Sequence, residues 1–364
     1  MIKSILIDAS HYRTEAPTGV EYYVSSLLPA LSDELTAKGT AVAWVGHTAE
    51  KPAGVPKHVE WVTSPYRRFW SQTALLKVLK ERRPDLYFSP SGLMPFRYQG
   101  NTAVTVHDLA VYHLPEAYSF GQWIRLRFLM KRAAKQAAVI ITPSITTQKE
   151  IMRHWKILAN RIAVTPLAVP AVAAAPEAVD GVSRDHPYFL FVGRIELKKN
   201  LDPVIRGFAK LPAAMAARLV LAGKDGYGAA GIHRQIAKLP EEIRNRVIAT
   251  GYVSESGKQW LLEHAHAVVV PGLSEGFGLP VLEAFTAGVP AICAQAGSLV
   301  EVGADAVLYA QGDIATDWDI QMAKLLEDQG LRKECVEKGK KYAGNYRWQK
   351  TAELTANAFL QVEV

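Results

Sequence analysis

The sequence predicts an α/β protein of two Rossmann-like domains, and three observations carry that prediction. Short apolar, β-branched runs alternate with longer helical patterns throughout, the mark of parallel sheets wound with helices on both faces. At 364 residues, 49% of them apolar, the chain can bury two cores of ordinary size. Between its halves, residues 168–187 are rich in Ala and Pro without a period, the composition of an interdomain linker. Domains are therefore expected over 1–167 and 188–345, facing each other across a cleft, with a last helical segment over 346–364.

Taken in order, the first half offers strands near 3–8, 41–46, 59–64, 86–90, 102–107, 138–142 and 161–165. The first ends at Asp8, and Thr18-Gly19-Val20 then precedes the helical pattern EYYVSSLLPAL. In Thr105-Val106-His107-Asp108-Leu109 a buried strand opens into a loop, which puts His107 at a strand's carboxyl end, where α/β proteins bind ligands. Asp108 is placed to orient that imidazole or to serve an acceptor, and Tyr112 follows in the same loop. Ser144, in Thr142-Pro143-Ser144, closes a later strand and is a further acceptor-side candidate.

Strands of the second half are expected near 188–193, 218–222, 247–250, 267–270, 290–294 and 307–309. Gly193-Arg194 ends the first of them, and Lys199-Asn200 begins the helix that follows. A guanidinium fork and a compact ammonium are complementary ways to hold a diphosphate. The plainer alternative for Arg194 is a surface salt bridge with Glu196. Gly223 and Lys224 open a glycine-rich loop after the second strand, and Tyr252 and Val253 follow the third.

The most informative stretch is Pro271 to Pro290, PGLSEGFGLPVLEAFTAGVP. A buried strand delivers Ser274 and Glu275, and Gly276 and Gly278 let the backbone turn close to a ligand. Pro280 suits a first helical position and Gly288 with Pro290 a stop, so a helix is expected from about 280 to 287. Backbone N–H groups near Phe277, Gly278 and Leu279 would face an anion, aided by the helix dipole. Glu275 stands before the turn and Glu283 on the first helical turn, bracketing that site rather than pairing with each other. A helix start with an acidic first turn would account for Glu283 alone.

Glu275 and Glu283 with seven residues between them, inside SEGFGLPVLEA, resemble the E-x7-E motif of the retaining glycosyltransferases of group 1, family 4. FVGRIELKKN, LVLAGKDG and TGYVSE occur in that family's order and spacing, so the likeness covers nearly all of the carboxyl half. It implies the GT-B fold, with a last helix that crosses back to the first domain. It also implies that Gly19 closes over the donor diphosphate, that His107 serves the transferred sugar, and that Lys224, Tyr252 and Val253 lie beside the nucleotide. Glu275 would hold sugar hydroxyls and Glu283 the ribose diol, since a carboxylate accepts two hydrogen bonds. The glycine cluster around Gly19 is poorer than in many relatives.

Composition narrows the partners. The net charge of +7 favours an acidic one. The excess is local: Arg125, Arg127, Lys131, Arg132, Lys135, Lys149, Arg153 and Lys156 stand against Glu150 alone, and Tyr66-Arg67-Arg68-Phe69-Trp70 adds a second basic, aromatic patch. Such a surface fits anionic lipid headgroups, or is a solvated helix face; no nucleic-acid motif accompanies it. Cys293 and Cys335 are too few for a disulfide framework, and no run approaches a membrane span, which together suit a cytoplasmic protein that rests at most peripherally on the membrane. Asp317-Trp318-Asp319 has a metal-binding form, yet first-turn acid placement explains it better, and His264 with His266 makes a poor ligand pair. No metal or other cofactor is expected.

The expectation is a retaining hexosyltransferase that moves a sugar from a nucleotide donor to a glycan or lipid-linked glycan acceptor in polysaccharide or lipopolysaccharide assembly. The His107 loop and the TGVE start resemble bacterial mannosyltransferases, which points to GDP-mannose, with a UDP-sugar such as UDP-glucose as the alternative. A nucleotide-sugar epimerase, a phosphorylase and a silent sugar-nucleotide-binding subunit remain open alternatives. Linkage, pathway and oligomeric state are not legible.

Overall fold

A computed structural model describes residues 2–13, 19–65, 69–169 and 175–363. The patch residues Tyr66, Arg67 and Arg68, and Thr18 before Gly19, lie outside the described residues. Two all-parallel sheets form. In chain order the strands are β1 (Ser4–Asp8), β2 (Ala41–Gly46), β3 (Glu60–Thr63), β4 (Leu86–Ser89), β5 (Thr102–Thr105), β6 (Val139–Thr142), β7 (Ile162–Val164), β8 (Tyr188–Val192), β9 (Arg218–Ala222), β10 (Val247–Gly251), β11 (Ala267–Val270), β12 (Ala291–Ala294) and β13 (Leu308–Ala310). Each expected strand forms within two residues of its expected bounds. That fidelity follows from chemistry: continuous apolar runs such as AVVV at β11 read as strands buried on both faces.

The chain divides into two compact units, one of Met1–Leu109, Gly121–Ala168 and Arg347–Val364, the other of Ala110–Phe120 and Val169–Tyr346. The first, called here the amino-terminal unit, holds the sheet β3-β2-β1-β4-β5-β6-β7. Its order reverses between β1 and β4, which pair through Ile5 with Leu86 and Ile7 with Phe88. The helix Trp348–Leu360 belongs to it, packed on the helix Gly19–Ala37: Trp348 lies against Tyr22 and Tyr23, Phe359 against Phe88 at 4.9 Å, and Thr351 donates to the Pro166 carbonyl at 2.5 Å.

The carboxyl-terminal unit holds the sheet β10-β9-β8-β11-β12-β13, which reverses between β8 and β11. Ligands of doubly wound sheets bind outside the carboxyl ends of the strands that flank such a reversal. Two boundaries differ from the sequence expectation. Ala110–Phe120 groups with the carboxyl-terminal unit, and so does the carboxyl part of the expected linker. That part is anchored, not free: the Glu177 N–H donates to the Ser256 carbonyl at 3.3 Å, Ser256 Oγ donates to the Glu177 carboxylate at 3.0 Å, and Val182 is buried.

Candidate functional site

In the carboxyl-terminal unit the loops leaving β8 and β9 are laced together. The Gly193 N–H donates to the Ala222 carbonyl at 3.0 Å, Ile195 to Lys224 at 3.0 Å, Gly226 to Ile195 at 2.8 Å and Leu197 to Tyr227 at 2.9 Å. Gly223 has φ +154, and a Cβ there would overlap the Gly193 carbonyl oxygen, so the approach requires glycine. This lacing fixes the backbone that carries Arg194 and Lys199. The Arg194 side chain stays 58% exposed; its Nε is 3.8 Å from the Glu196 carboxylate and one guanidinium nitrogen donates to the Asp225 carbonyl at 3.4 Å. Both contacts are long, and Glu196 also faces Lys198 at 3.4 Å. Lys199 is held firmly: its Nζ donates to Glu275 Oε1 at 2.8 Å, with the two side chains only 21% and 15% exposed. That ion pair joins the loop after β8 to the loop after β11, across the sheet's reversal point.

Three residues that support Glu275 or the loop that carries it were not legible as site residues. A Cβ at Gly272 would overlap Glu275 Oε1, so this glycine makes room for the carboxylate. Ser298, fully buried on the helix Gly297–Gly303, donates to the Glu275 carbonyl at 2.6 Å. Asn200, in the left-handed region at φ 51, donates from Nδ2 to the carbonyls of Pro271 and Gly312 at 3.3 and 2.7 Å. None of these contacts leaves a pattern in the chain: Ser298 stands 23 residues from Glu275 and Asn200 71 and 112 from its acceptors, and a glycine that makes room for a side chain looks like any loop glycine.

The helix Leu279–Ala287 starts after Gly278, whose φ of 107 turns the chain into it. Among the described residues, the N–H groups of Phe277, Gly278 and Leu279 have no backbone partner. With the dipole behind them they are suited to an anion. Two details correct the sequence expectation: Pro280 takes the second helical position, not the first, and no acid stands in the first turn. Glu283 therefore lies beyond the dipole's reach, and a lysine holds it instead. Lys258, on the helix Glu255–His264, donates to Glu283 Oε1 at 3.2 Å and pairs with Glu255 at 2.7 Å. Burial pulls the Lys258 pKa down, but Glu283 and Glu255 outweigh it and hold the ammonium above the ordinary lysine range. Phe277 is buried edge-on against Tyr346 at 5.6 Å, so it offers backbone rather than ring.

The Lys224 ammonium lies 4.4 Å over the ring of Tyr252, which is half exposed. Tyr252 and Val253, with Ser254, Glu177 and Asp180, line an open pocket of about 270 Å³. Sequence reasoning assigned Glu177 and Asp180 to the linker.

In the amino-terminal unit His107 follows β5, part-buried, with Nε2 donating to the Pro90 carbonyl at 2.9 Å. A carbonyl can only accept, so Nε2 carries a proton. Tyr23 packs edge-on against the imidazole at 4.8 Å and hydrogen-bonds Thr105 Oγ1 at 3.1 Å. Burial lowers the His107 pKa, with the Pro90 hydrogen bond and the Asp108 charge pulling the other way. Asp108 is part-buried beside it, and Tyr112 sits on the short helix Ala110–His113, which groups with the other unit. Gly19 opens its helix, and among the described residues nothing lies within 4 Å of where a Cβ would stand. Ser144 is the one candidate whose place argues against its assigned role. It is fully buried and caps the helix Ile145–Trp155 by accepting from the Thr147 N–H at 3.1 Å, so its hydroxyl is committed to the fold. Of the candidates set aside, Asp317 accepts from the Gln311 N–H at 3.0 Å, and His264 and His266 donate to the carbonyls of Trp260 and Leu325, each at 2.8 Å.

Residues 177–342 match the family described as glycosyl transferases group 1, and residues 17–171 match glycosyltransferase family 4. The chain belongs to these glycosyltransferases. It is 27% identical over 307 residues to O-antigen chain mannosyltransferase B of Escherichia coli, spanning 81% of this chain and 77% of that one. Its fold is that of sucrose-phosphate synthase from Thermosynechococcus elongatus, with a TM-score of 0.76 at 20% identity over 99% of this chain and 98% of that chain. WaaG, a glycosyltransferase involved in lipopolysaccharide biosynthesis, matches with a TM-score of 0.72 at 17% identity over 97% and 98%. This glycosyltransferase is therefore of the GT-B class, two parallel-sheet Rossmann-like domains.

Proposed function

We propose that this glycosyltransferase is a retaining mannosyltransferase that uses GDP-mannose without a metal and builds a surface polysaccharide or lipopolysaccharide. The observation that carries the reading is the Lys199–Glu275 ion pair at 2.8 Å, set at the reversal of the carboxyl-terminal sheet beside the open N–H groups of residues 277–279. An ammonium has three donors, so Lys199 can keep Glu275 and still face a diphosphate. Arg194, loosely held, is free to swing its planar fork onto the same phosphates. Positive charge and backbone donors aimed at the leaving diphosphate stabilise negative charge as it develops, which is the service a metal would otherwise supply. Glu275 would accept from the hexose hydroxyls and steady an oxocarbenium-like state, and Glu283 from the ribose diol through the oxygen that Lys258 leaves open. The family likeness assigns His107 to the transferred sugar and a front-face attack assisted by the departing phosphate oxygen. Mannose is favoured by the relative's name, O-antigen chain mannosyltransferase B.

The test is calorimetric titration of GDP, UDP and ADP and of GDP-mannose and UDP-glucose, first without metal and then with magnesium. Turnover with an acceptor glycan follows, the anomeric configuration read by NMR. Selective GDP binding without metal and an α-linked product from the α-linked donor are expected. Selective UDP binding would replace the donor, a β-linked product would end the retaining reading, and binding that needs magnesium would end the metal-free one.

A further inference from the structure

We propose that the carboxylate of Asp8 binds a hydroxyl of an uncharged pyranose, the sugar that receives the transferred one. Asp8 is the last residue of β1, and the amino-terminal sheet reverses between β1 and β4. It therefore stands where doubly wound sheets take their ligands. At the reversal of the carboxyl-terminal sheet, the Glu275 carboxylate is met by the Lys199 ammonium. Asp8 has no such partner. Its side chain is only 5% exposed, yet among the described residues no cation pairs with it. Arg13, in the loop after β1, pairs with Glu21 at 3.0 Å instead.

The two carboxylate oxygens are unequally filled. Oδ1 accepts from the Ser10 N–H at 2.9 Å. Oδ2 has the Tyr87 hydroxyl at 3.4 Å, beyond the ordinary length of such a bond. A carboxylate has room for about four donors, and burying its charge with that room unfilled costs stability. The turn at Ser10 does not require the charge, since a neutral asparagine makes the same bond. The open capacity is thus a place for a donor from outside the chain. Tyr87 on β4 reaches Asp8 on one side, and the Pro90 carbonyl just after β4 holds His107 on the other. Ile7 pairs with Phe88 and Phe88 with Ala103, so Asp8 lies two strands from β5, an interval on the order of 10 Å. One pyranose ring with its hydroxyls fits that interval. The loop after β1 turns toward the imidazole, because the charge of His11 is felt at His107. A carboxylate repels an anionic sugar, whereas the hydroxyls of a neutral one are the donors it lacks. The inference rests on the chain's reading as a transferase to a sugar hydroxyl, and on neither the donor nor the stereochemistry.

Saturation-transfer NMR on the full chain tests it, with methyl α-mannopyranoside, methyl α-glucopyranoside, methyl α-galactopyranoside and, as the anionic counterpart, methyl α-glucuronide. The wild-type chain is expected to bind at least one of the neutral sugars and not the glucuronide. Asp8→Asn should weaken that binding about tenfold or more, with GDP and UDP affinity unchanged. Its melting temperature should equal or exceed that of the wild type, since the variant keeps the Ser10 bond and removes a buried charge. Absence of neutral-sugar binding by the wild type would overturn the proposal, as would equal binding by Asp8→Asn or a preference for the glucuronide. A variant that melts well below the wild type would overturn it too, by making Asp8 a residue of the fold. Loss of every nucleotide with sugar binding intact and sensitive to Asp8→Asn would strike the donor reading and support this one.

Discussion

The two units hold their candidate residues by different means. In the carboxyl-terminal unit side chain holds side chain: Lys199 with Glu275 and Lys258 with Glu283, both pairs half-buried and both linking separate loops or helices. In the amino-terminal unit backbone holds side chain: the Pro90 carbonyl takes the His107 proton and the Thr147 N–H takes the Ser144 oxygen. An ion pair keeps charge on both members, so an incoming diphosphate or diol can share it with little rearrangement. A backbone contact fixes a neutral group in one tautomer or rotamer. The first arrangement suits charge that develops during reaction, the second a shape that must not change.

The largest effect that would break this comparison lies in the first arrangement. Lys199→Ala and Arg194→Ala should each lower turnover of the donor about 100-fold, the scale of losing one pre-aimed positive donor at a developing anion. Their stabilities should separate. Arg194 makes only long contacts, so its loss should leave the melting temperature near wild type, whereas Lys199→Ala leaves the part-buried Glu275 without its partner and should lower it. A double-mutant cycle of Lys199→Ala with Glu275→Ala should show coupling in stability. Additive losses would mean that the pair contributes nothing to holding the loops.

A smaller effect tests whether the lacing of loops, and not charge alone, sets the carboxyl-terminal site. Gly223→Ala puts a Cβ onto the Gly193 carbonyl at a φ that side chains rarely adopt, and should cost roughly 2 kcal/mol or more of stability. Gly19→Ala meets nothing within 4 Å among the described residues and should change thermal stability by about 0.5 kcal/mol or less. Thermal melts of the two variants compare a glycine the fold requires with one the fold merely permits. A raised KM in Gly19→Ala with an unchanged melt would give that glycine a part in donor binding.

What the sequence made legible divides along the same line. The strands were readable because apolar β-branched runs must be buried in parallel sheets, and the 193–200 and 271–288 stretches because glycines, charges and helix starts sit side by side in the chain. Lys258, Ser298 and the Asn200 side chain were not, because each acts on a group brought near only by folding, and Gly272 reads as an ordinary loop glycine until the Glu275 side chain is placed. Residues 177–182 were misread for a related reason: Ala and Pro around them look like linker, and nothing local shows that Ser256 waits for Glu177. Ser144 failed in the other direction. A serine after Pro143 at a strand end is as good an N-cap as a ligand, and the Thr147 N–H three residues on decides for the cap.

The smallest effect concerns His107 and asks whether the backbone-held arrangement is locked in the neutral form. Its pKa lies below the ordinary value of 6.5, mainly through burial, so the folded chain binds this proton less readily than the unfolded one. The contribution to stability is therefore complete above about pH 6.5 and is lost as the pH falls through that value toward the lower folded pKa. His266 is shifted in the same direction by burial, in the other unit, and serves as the internal control. NMR titration of the imidazole Cε1–H resonances from neutral to acid pH should show both rings titrating below free histidine. His107→Gln, which can still donate to the Pro90 carbonyl, should remove one resonance and leave the other in place. A His107 that titrates at or above 6.5 would mean that the Pro90 bond and Asp108 dominate over burial, and the amino-terminal unit would then hold a switchable cation and not a fixed neutral ring.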